Sequence, residues 1–156
     1  AGEMFAAATR TQMMHVPYRG SAPALADVMA GHVPLMFDLQ ATAAPNIRQG
    51  KLRALGVSAL ERSALLPDVP TMAESGLAGF EVSAWFALLA PAKVPADILK
   101  KLETEMAAVM QAPDMAARMR ELGGTPDPRT AAAFSAYMKE EAKKYADVVK
   151  AAGLSP

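Results

Sequence analysis

Residues 15–23 read His15-Val16-Pro17-Tyr18-Arg19-Gly20-Ser21-Ala22-Pro23, and this stretch decides how the first part of the chain folds. A short apolar run ends in a Gly-Ser turn, and a helix is expected to begin at that turn. The first N–H groups of a helix have no acceptor within it, and the positive end of the helix dipole lies behind them. The stretch therefore predicts an anion-binding turn suited to a carboxylate, which favours capture of a small acid over its conversion.

Short strands and short helices are predicted to alternate around this turn. Ser21 is expected to cap the helix that follows it, and Gly31 is expected to end that helix in the left-handed conformation. The Thr71–Glu74 capping-box pattern predicts another short helix. Strands are predicted at 13–16, 33–37 and 52–58, and helices at 22–30, in a short segment that ends at Gln49 before Gly50, and in a segment opened by Thr71–Glu74 and closed by Gly76. Such alternation predicts an α/β fold with a parallel or mixed sheet covered on both faces.

The pattern changes at the apolar run of residues 80–89, which ends at Ala90-Pro91. This run is expected to be a strand that leaves one lobe and enters another. After it the chain is predicted to be helical, with helices beginning near Pro95, spanning 113–122, and capped last by Asp127. We therefore divide the chain into an α/β lobe at 1–82 and a crossing strand with helices at 83–156.

Composition excludes several classes of function. Lysine plus arginine balances aspartate plus glutamate at 16 each, so no basic surplus favours nucleic acid or an anionic membrane surface. The chain contains no cysteine, which excludes disulfides, thiol nucleophiles and thiolate metal sites. No apolar run approaches the ~20 residues of a membrane-spanning helix. The beginning, residues 1–5, lacks the pattern of a signal peptide and resembles the middle of a helix, so we expect the chain to begin within a longer protein.

Few side chains suggest metal or catalytic chemistry. The chain has two histidines, His15 and His32, and neither has a second ligand at helical spacing, so no metal site is expected. Ser21 lacks a nucleophile-elbow pattern, and a capping role is favoured over a nucleophilic one. No phosphate loop or dinucleotide fingerprint occurs, and no cofactor is expected.

Three further residues have both a structural and a functional interpretation. Asp38 follows a predicted strand, so its carboxylate either caps the next helix or contacts a ligand. Trp85 either anchors a core or forms one wall of a cleft. The hydroxyl of Tyr18 either reaches a ligand or helps to pack the turn.

These residues fall into an ordered set of motifs that resembles the tripartite tricarboxylate transporter substrate-binding proteins, also called the Bug family. The resemblance covers nearly the whole chain without large gaps. It rests on His15-Val16-Pro17-Tyr18-Arg19-Gly20, Ala22-Pro23-Ala24-Leu25, Met36-Phe37-Asp38, Gly50-Lys51-Leu52-Arg53-Ala54-Leu55, Leu66-Pro67-Asp68-Val69-Pro70-Thr71, Gly79-Phe80-Glu81-Val82, Trp85-Phe86 and Leu89-Ala90-Pro91.

The resemblance implies a periplasmic solute receptor with two α/β lobes of the type II binding-protein, or Venus flytrap, kind. It implies small carboxylate ligands, delivery to a membrane permease with one small and one large subunit, no reaction and no metal. This chain would then hold most of the second lobe, the crossing strand and the C-terminal helices of the first lobe. Leu39 replaces a polar residue that is usual in the family.

The ligand site expected from these arguments combines the turn with three side chains. Its main-chain donors are those of Gly20, Ser21 and Ala22, with Pro23 beside them. Tyr18, Asp38 and Trp85 are expected to set shape and selectivity. Family members are considerably longer, so we expect this chain alone to bind weakly and to form a dimer or a swapped assembly through the stripe Phe134, Met138 and Tyr145.

Two other functions stay open from the residues alone. A small α/β enzyme acting on an ester or acid would use Ser21 or Asp38. A helical interaction module would dock a partner on its C-terminal helices.

Overall fold

A computed structural model describes residues 1–151 and 153 of the chain. The chain divides into two compact units, Ala1–Ala84 and Trp85–Pro156. Three helices lie in the first unit and three in the second, within the residues described. They are α1 (Gly2–Thr9), α2 (Ser21–Met29), α3 (Gln40–Arg48), α4 (Ala96–Gln111), α5 (Pro113–Glu121) and α6 (Ala131–Ala151).

Aromatic rings hold the core of the first unit together. The ring of Phe5 in α1 lies 5.8 Å from the ring of Phe37 and 6.4 Å from the ring of Phe80, centroid to centroid. Phe80 is only 7% exposed. One small core therefore connects α1 to the segments that follow α2 and precede the second unit. Its other buried residues are Ala24, Leu25, Ala44, Val57 and Thr71.

The glycine stops of α2 and α3 lie where the sequence predicts them. Gly31 and Gly50 have φ angles of 78° and 71°, which favour glycine. The N–H of Gly31 donates to the carbonyl oxygen of Val28 at 3.1 Å, and that of Gly50 to Ile47 at 2.9 Å. The predicted start of α2 is wrong by one residue: Gly20 is the N-cap, and Ser21 is the first helical residue.

The predicted strands are not formed, and the α/β alternation is corrected to a mainly helical chain. The residues described contain one isolated parallel bridge, between Val57 and Thr71. There the N–H of Val57 donates to Pro70 and the N–H of Met72 donates to Val57, both at 2.9 Å. A strand requires a neighbour to accept and donate its main-chain hydrogen bonds. The described part of the chain supplies such a neighbour only near Val57, so 13–16 and 33–37 form no ladder.

The apolar run 80–89 lies beside the bridge at one point only. The N–H of Val82 donates to the carbonyl oxygen of Ser58 at 3.0 Å, and the hydroxyl of Ser58 donates back to Val82 at 2.6 Å. The crossing strand predicted over the whole run is therefore wrong for the described residues. From Phe86 to Leu89 the large side chains are exposed, with Phe86 at 87%.

The Thr71–Glu74 capping box is confirmed, although the helix behind it is not. The N–H of Thr71 donates to Glu74 Oε2 at 2.7 Å, and the N–H of Glu74 donates to Thr71 Oγ1 at 3.0 Å. Hydrogen-bonded turns follow to residue 76, where Gly76 has a φ of 103°. The segment is too short to continue as a helix before this glycine.

The second unit packs its aromatic residues on α6. The ring of Trp85 lies 5.4 Å from Phe134 and 6.1 Å from Tyr137, both edge to face. Phe134 is half-buried beside Trp85, and Met138 and Tyr145 are half-buried as well. The stripe of Phe134, Met138 and Tyr145 was expected to be exposed for pairing, and that expectation is wrong, because these side chains are partly covered within their own unit. The paired or swapped assembly stays a prediction.

The predicted cap of the last helix is also corrected. Asp127 does not cap α6, because its carboxylate is paired with Arg129 at 2.7 Å. Thr130 takes that place: its Oγ1 accepts from the N–H of Ala133 at 3.2 Å. Glu103 in α4 accepts from the N–H of Ala131 at 2.7 Å, which ties α4 to the beginning of α6.

Candidate functional site

The bend before α2 has a main-chain conformation that only glycine adopts readily. Gly20 has a φ of 144° and a ψ of 177°. This region of backbone space is essentially closed to residues with a Cβ atom. The conformation directs the chain into α2, which begins with Ser21 and Ala22. Glycine at position 20 therefore sets the direction of the first N–H groups of the helix.

The first N–H groups of α2 are available to a ligand. Among the described residues, none accepts a hydrogen bond from the N–H of Gly20, Ser21 or Ala22. Pro23 has no N–H group, so it contributes shape to the bend and no donor. Ser21 is partly exposed, and Gly20 and Ala22 are exposed. The bend therefore offers unoccupied donors at the positive end of a helix dipole.

Asp38 lies against this end of α2 and is held by two hydroxyl groups. Ser21 Oγ donates to Asp38 Oδ1 at 2.5 Å, and Thr42 Oγ1 donates to Asp38 Oδ2 at 2.6 Å. Asp38 precedes Leu39, the N-cap of α3, and makes no capping bond to that helix. The cap expected for Asp38 is thus not formed. Instead, one carboxylate joins the first turns of α2 and α3.

The charge of Asp38 changes how an anion would be held here. Each helix N-terminus carries a partial charge of about half an elementary charge, and the two together are offset by one carboxylate. A bound carboxylate would therefore depend on hydrogen bonds to main-chain donors more than on a net positive charge. Such bonds to a charged acceptor contribute roughly 1.5–3 kcal/mol each.

Tyr18 is directed to the opposite end of α2. Its hydroxyl donates to Asp27 Oδ2 at 2.6 Å, and Asp27 Oδ1 lies 3.3 Å from His32 Nδ1. The packing interpretation of Tyr18 thus has structural support, since the bond folds the incoming segment along the helix. The sequence analysis missed this cluster, because nothing in the spacing of the three residues marks it.

The Tyr18–Asp27 hydrogen bond shifts both titrations. Donation from Tyr18, with a smaller contribution from His32, lowers the pKa of Asp27 below its ordinary 3.8. The same hydrogen bond is the main cause that raises the pKa of Tyr18 above 10.0. Stability from Asp27 is therefore present above pH 3.8 and is lost as the pH falls through its lowered pKa. Stability from Tyr18 is present below pH 10.0 and is lost as the pH rises through its raised pKa.

We expect Tyr18→Phe to reduce stability only at pH values between the pKa of Asp27 and the pKa of Tyr18. The difference in urea midpoint between the wild type and the variant should be largest between about pH 4 and pH 10, and should shrink on both sides. Tyr145→Phe, a tyrosine of α6, is the control. A difference that stays constant from acid to alkaline pH would contradict the assignment.

Trp85 belongs to the second unit, whereas the bend, Asp38 and Tyr18 belong to the first. Within its own unit it packs against α6, and it is 42% exposed. The anchoring interpretation of Trp85 is therefore supported by its contacts. Its place in a ligand cleft stays a prediction.

An open concavity of about 270 Å³ lies in the second unit, between α4 and the segment before α6. Two of its charged groups are engaged within the protein. Glu103 accepts from Ala131, and Arg129 pairs with Asp127 and lies 4.2 Å above the ring of Tyr137. We assign no ligand to this concavity.

Two features are absent from the residues that the structure describes. These residues contain no cluster of three or more His, Cys, Asp or Glu side chains suited to a metal ion. Over the same residues, no helix has the length and apolar character needed to cross a bilayer.

Comparison with known proteins shows which family the chain resembles. Residues 1–154 match the sequence model described as "Tripartite tricarboxylate transporter family receptor". A protein from the tcbD–tcbE intergenic region of Pseudomonas sp. strain P51 is 41% identical over 124 residues, which is 79% of this chain and 37% of that protein.

Three solved structures of similar fold have names that give a bound ligand or a cellular location. Rpa4515 of R. palustris with adipate has a TM-score of 0.89 at 32% identity, and periplasmic binding protein BugD has 0.83 at 35%; each match covers 99% of this chain and 52% of the other. MatC of Rhodopseudomonas palustris with bound malate has a TM-score of 0.77 at 32% identity over 94% of this chain and 51% of that one. This chain thus spans about half the length of the structures that it matches. Because the family model matches residues 1–154 of this chain, the chain belongs to the tripartite tricarboxylate transporter receptor family.

Proposed function

We propose that this chain is part of a periplasmic receptor that captures a small carboxylate and delivers it to the permease subunits of a tripartite tricarboxylate-type transporter. The observation that carries the proposal is the family match together with unoccupied N–H donors at Gly20, Ser21 and Ala22. The adipate and malate named for two similar structures point to dicarboxylates as the ligand class.

The proposed mechanism is binding without chemical change. One carboxylate of the ligand accepts hydrogen bonds from the N–H groups at the start of α2. Closure of two lobes in the Venus flytrap manner, with Trp85 as one wall of the cleft, would bury the ligand. The half of the similar structures that this chain does not cover would supply the rest of that cleft.

The two other functions weighed from the sequence have less support. The only group that accepts from the Ser21 hydroxyl among the described residues is the Asp38 carboxylate, a weaker base than the imidazole that usually activates a serine nucleophile, and the family is one of receptors. A module that docks partners only through its C-terminal helices would leave the bend unexplained. We therefore propose no enzymatic activity, metal or cofactor for this chain.

The test compares two substitutions at one position. Ser21→Pro removes the first N–H and the hydroxyl, and proline is favoured at the first helical position. Ser21→Ala removes the hydroxyl alone. We expect Ser21→Pro to bind adipate or malate about tenfold more weakly than Ser21→Ala, since one charge-assisted hydrogen bond is lost.

Binding is measured by titration calorimetry on the full-length gene product that contains these residues. Far-ultraviolet circular dichroism on both variants checks that the helices persist. Equal affinities in the two variants would exclude the Ser21 N–H as a ligand donor. Failure of the wild type to bind any dicarboxylate, tricarboxylate or aromatic acid would overturn the function itself.

A further inference from the structure

The side chains at the starts of α2 and α3 are of the types that normally cap helices. Serine, threonine and aspartate are preferred caps because their oxygens accept from first-turn N–H groups. Here Ser21, Asp38 and Thr42 bond to one another, and neither helix has a side-chain cap. Among the described residues, the N–H groups of Gly20, Ser21 and Ala22 before and in α2, and of the first two residues of α3, therefore have no acceptor, whereas the N–H of Thr42 donates to Leu39 at 3.1 Å.

We infer that Asp38 is a positioning residue for the proposed carboxylate site, acting through Ser21 and Thr42 and not by touching the ligand. The inference rests on the proposed function for its meaning. Each oxygen of the carboxylate takes one hydroxyl from a different helix, so a single side chain fixes two helix starts against each other. Ser21 carries both the tethered hydroxyl and one of the free N–H groups, so the tether aims that donor.

The single hydroxyl hydrogen of Thr42 has two acceptors within reach, Asp38 Oδ2 and a main-chain carbonyl oxygen. Thr42 Oγ1 also lies 2.8 Å from the carbonyl oxygen of Leu39, the N-cap of α3. The hydroxyl of Thr42 is thus placed between the carboxylate and the main chain at the start of its own helix. Rotation of Asp38 away from this position would leave the hydroxyl of Ser21 without its acceptor, and would leave the hydroxyl of Thr42 with the carbonyl oxygen of Leu39 alone.

The negative charge of Asp38 disfavours the binding of a carboxylate, whereas its hydrogen bonds favour binding by orienting the main-chain donors. A second carboxylate near the Ser21 N–H is repelled by Asp38, as like charges raise each other's energy at short range. A neutral side chain of the same shape would keep the tether and remove the repulsion. Asparagine meets both conditions, because its oxygen accepts from Ser21 and its amide nitrogen donates to Thr42.

The test is a series of variants titrated with adipate, which has no hydroxyl group, and malate, which has one. We expect Asp38→Ala to weaken the binding of both acids by a similar factor of about ten. Asp38→Asn should bind both acids at least as tightly as the wild type does. Asp68→Ala, an exposed carboxylate of the same unit, is the control and should leave both affinities unchanged.

Three results would overturn the inference. Loss of malate binding alone, in both Asp38 variants, would mean that the carboxylate accepts from the ligand hydroxyl. Tighter binding by Asp38→Ala would mean that the residue only repels. Unchanged binding by Asp38→Ala would mean that the tether does not aim the donors.

A measurement without ligand separates this inference from the proposed function. Hydrogen exchange of Asp38→Ala should be faster than wild type in two segments, 20–25 and 40–44, because one tether serves both helix starts. If the wild type binds no acid and exchange in Asp38→Ala is nevertheless faster in both segments, the proposed function is wrong, whereas Asp38 still positions the two helix starts. If only one segment responds, or none, the positioning role fails whatever the affinities are.

Discussion

Phe80→Ala is expected to lower the free energy of unfolding by about 3 kcal/mol, which is the low end of the range for truncating a buried phenylalanine. Phe80 is 7% exposed, and its ring meets the edge of Phe5 from α1. The core of the first unit is small, so few neighbours can move into the space that the ring leaves. Loss of this ring would loosen α1, because of the two ring contacts that Phe5 makes among the described residues, the one with Phe37 would remain.

The measurement is urea unfolding followed by circular dichroism on the full-length gene product. Phe86→Ala is the matched control, since it removes the same side chain from a position that is 87% exposed, and it should change stability by less than about 0.5 kcal/mol. Equal effects of the two substitutions would mean that Phe80 does not hold the core.

The parts of the fold that depend on local backbone preferences could be predicted from the sequence. Gly31 and Gly50 end their helices because a positive φ is easy for glycine, and this property needs no distant partner. The Thr71–Glu74 capping box is local in the same way. The strands could not be predicted in this manner, because a strand exists only where another segment supplies hydrogen-bond partners, and apolar alternation says nothing about that segment.

The bend could be predicted from the sequence, whereas the side-chain contacts around it could not; its role as a ligand site stays a prediction. The Gly20–Ser21 turn and its open donors follow from the preference of helices to begin at such residues. The Ser21–Asp38 bond joins residues 17 positions apart, and the Tyr18–Asp27 bond spans a helix, so each depends on tertiary packing. The choice of Thr130 over Asp127 as a cap depends on Arg129, which pairs with the competing carboxylate.

Gly20→Ala is expected to destabilise the protein by about 1–3 kcal/mol and to weaken carboxylate binding tenfold or more. The reason is conformational and not steric contact, because no atom lies within 4 Å of a Cβ built at this position. A residue with a Cβ avoids a φ of 144° with a ψ of 177°, so the peptide before α2 must rotate. Rotation changes the direction of the N–H groups of Ser21 and Ala22, and a bound carboxylate would lose both donors together.

Substitutions at two other glycines distinguish this conformational cause from a simple loss of backbone flexibility. Gly56→Ala has no positive φ to avoid and brings Cβ to ordinary contacts at 3.6 Å, so stability should change by less than about 0.5 kcal/mol. Gly31 lies in the left-handed region, with a φ of 78°, where asparagine is tolerated. Gly31→Asn should therefore be mild, whereas Gly20→Asn should be as damaging as Gly20→Ala. Full affinity in Gly20→Ala would mean that the donors of the bend do not depend on this conformation, and the turn could then no longer explain the proposed binding of a carboxylate.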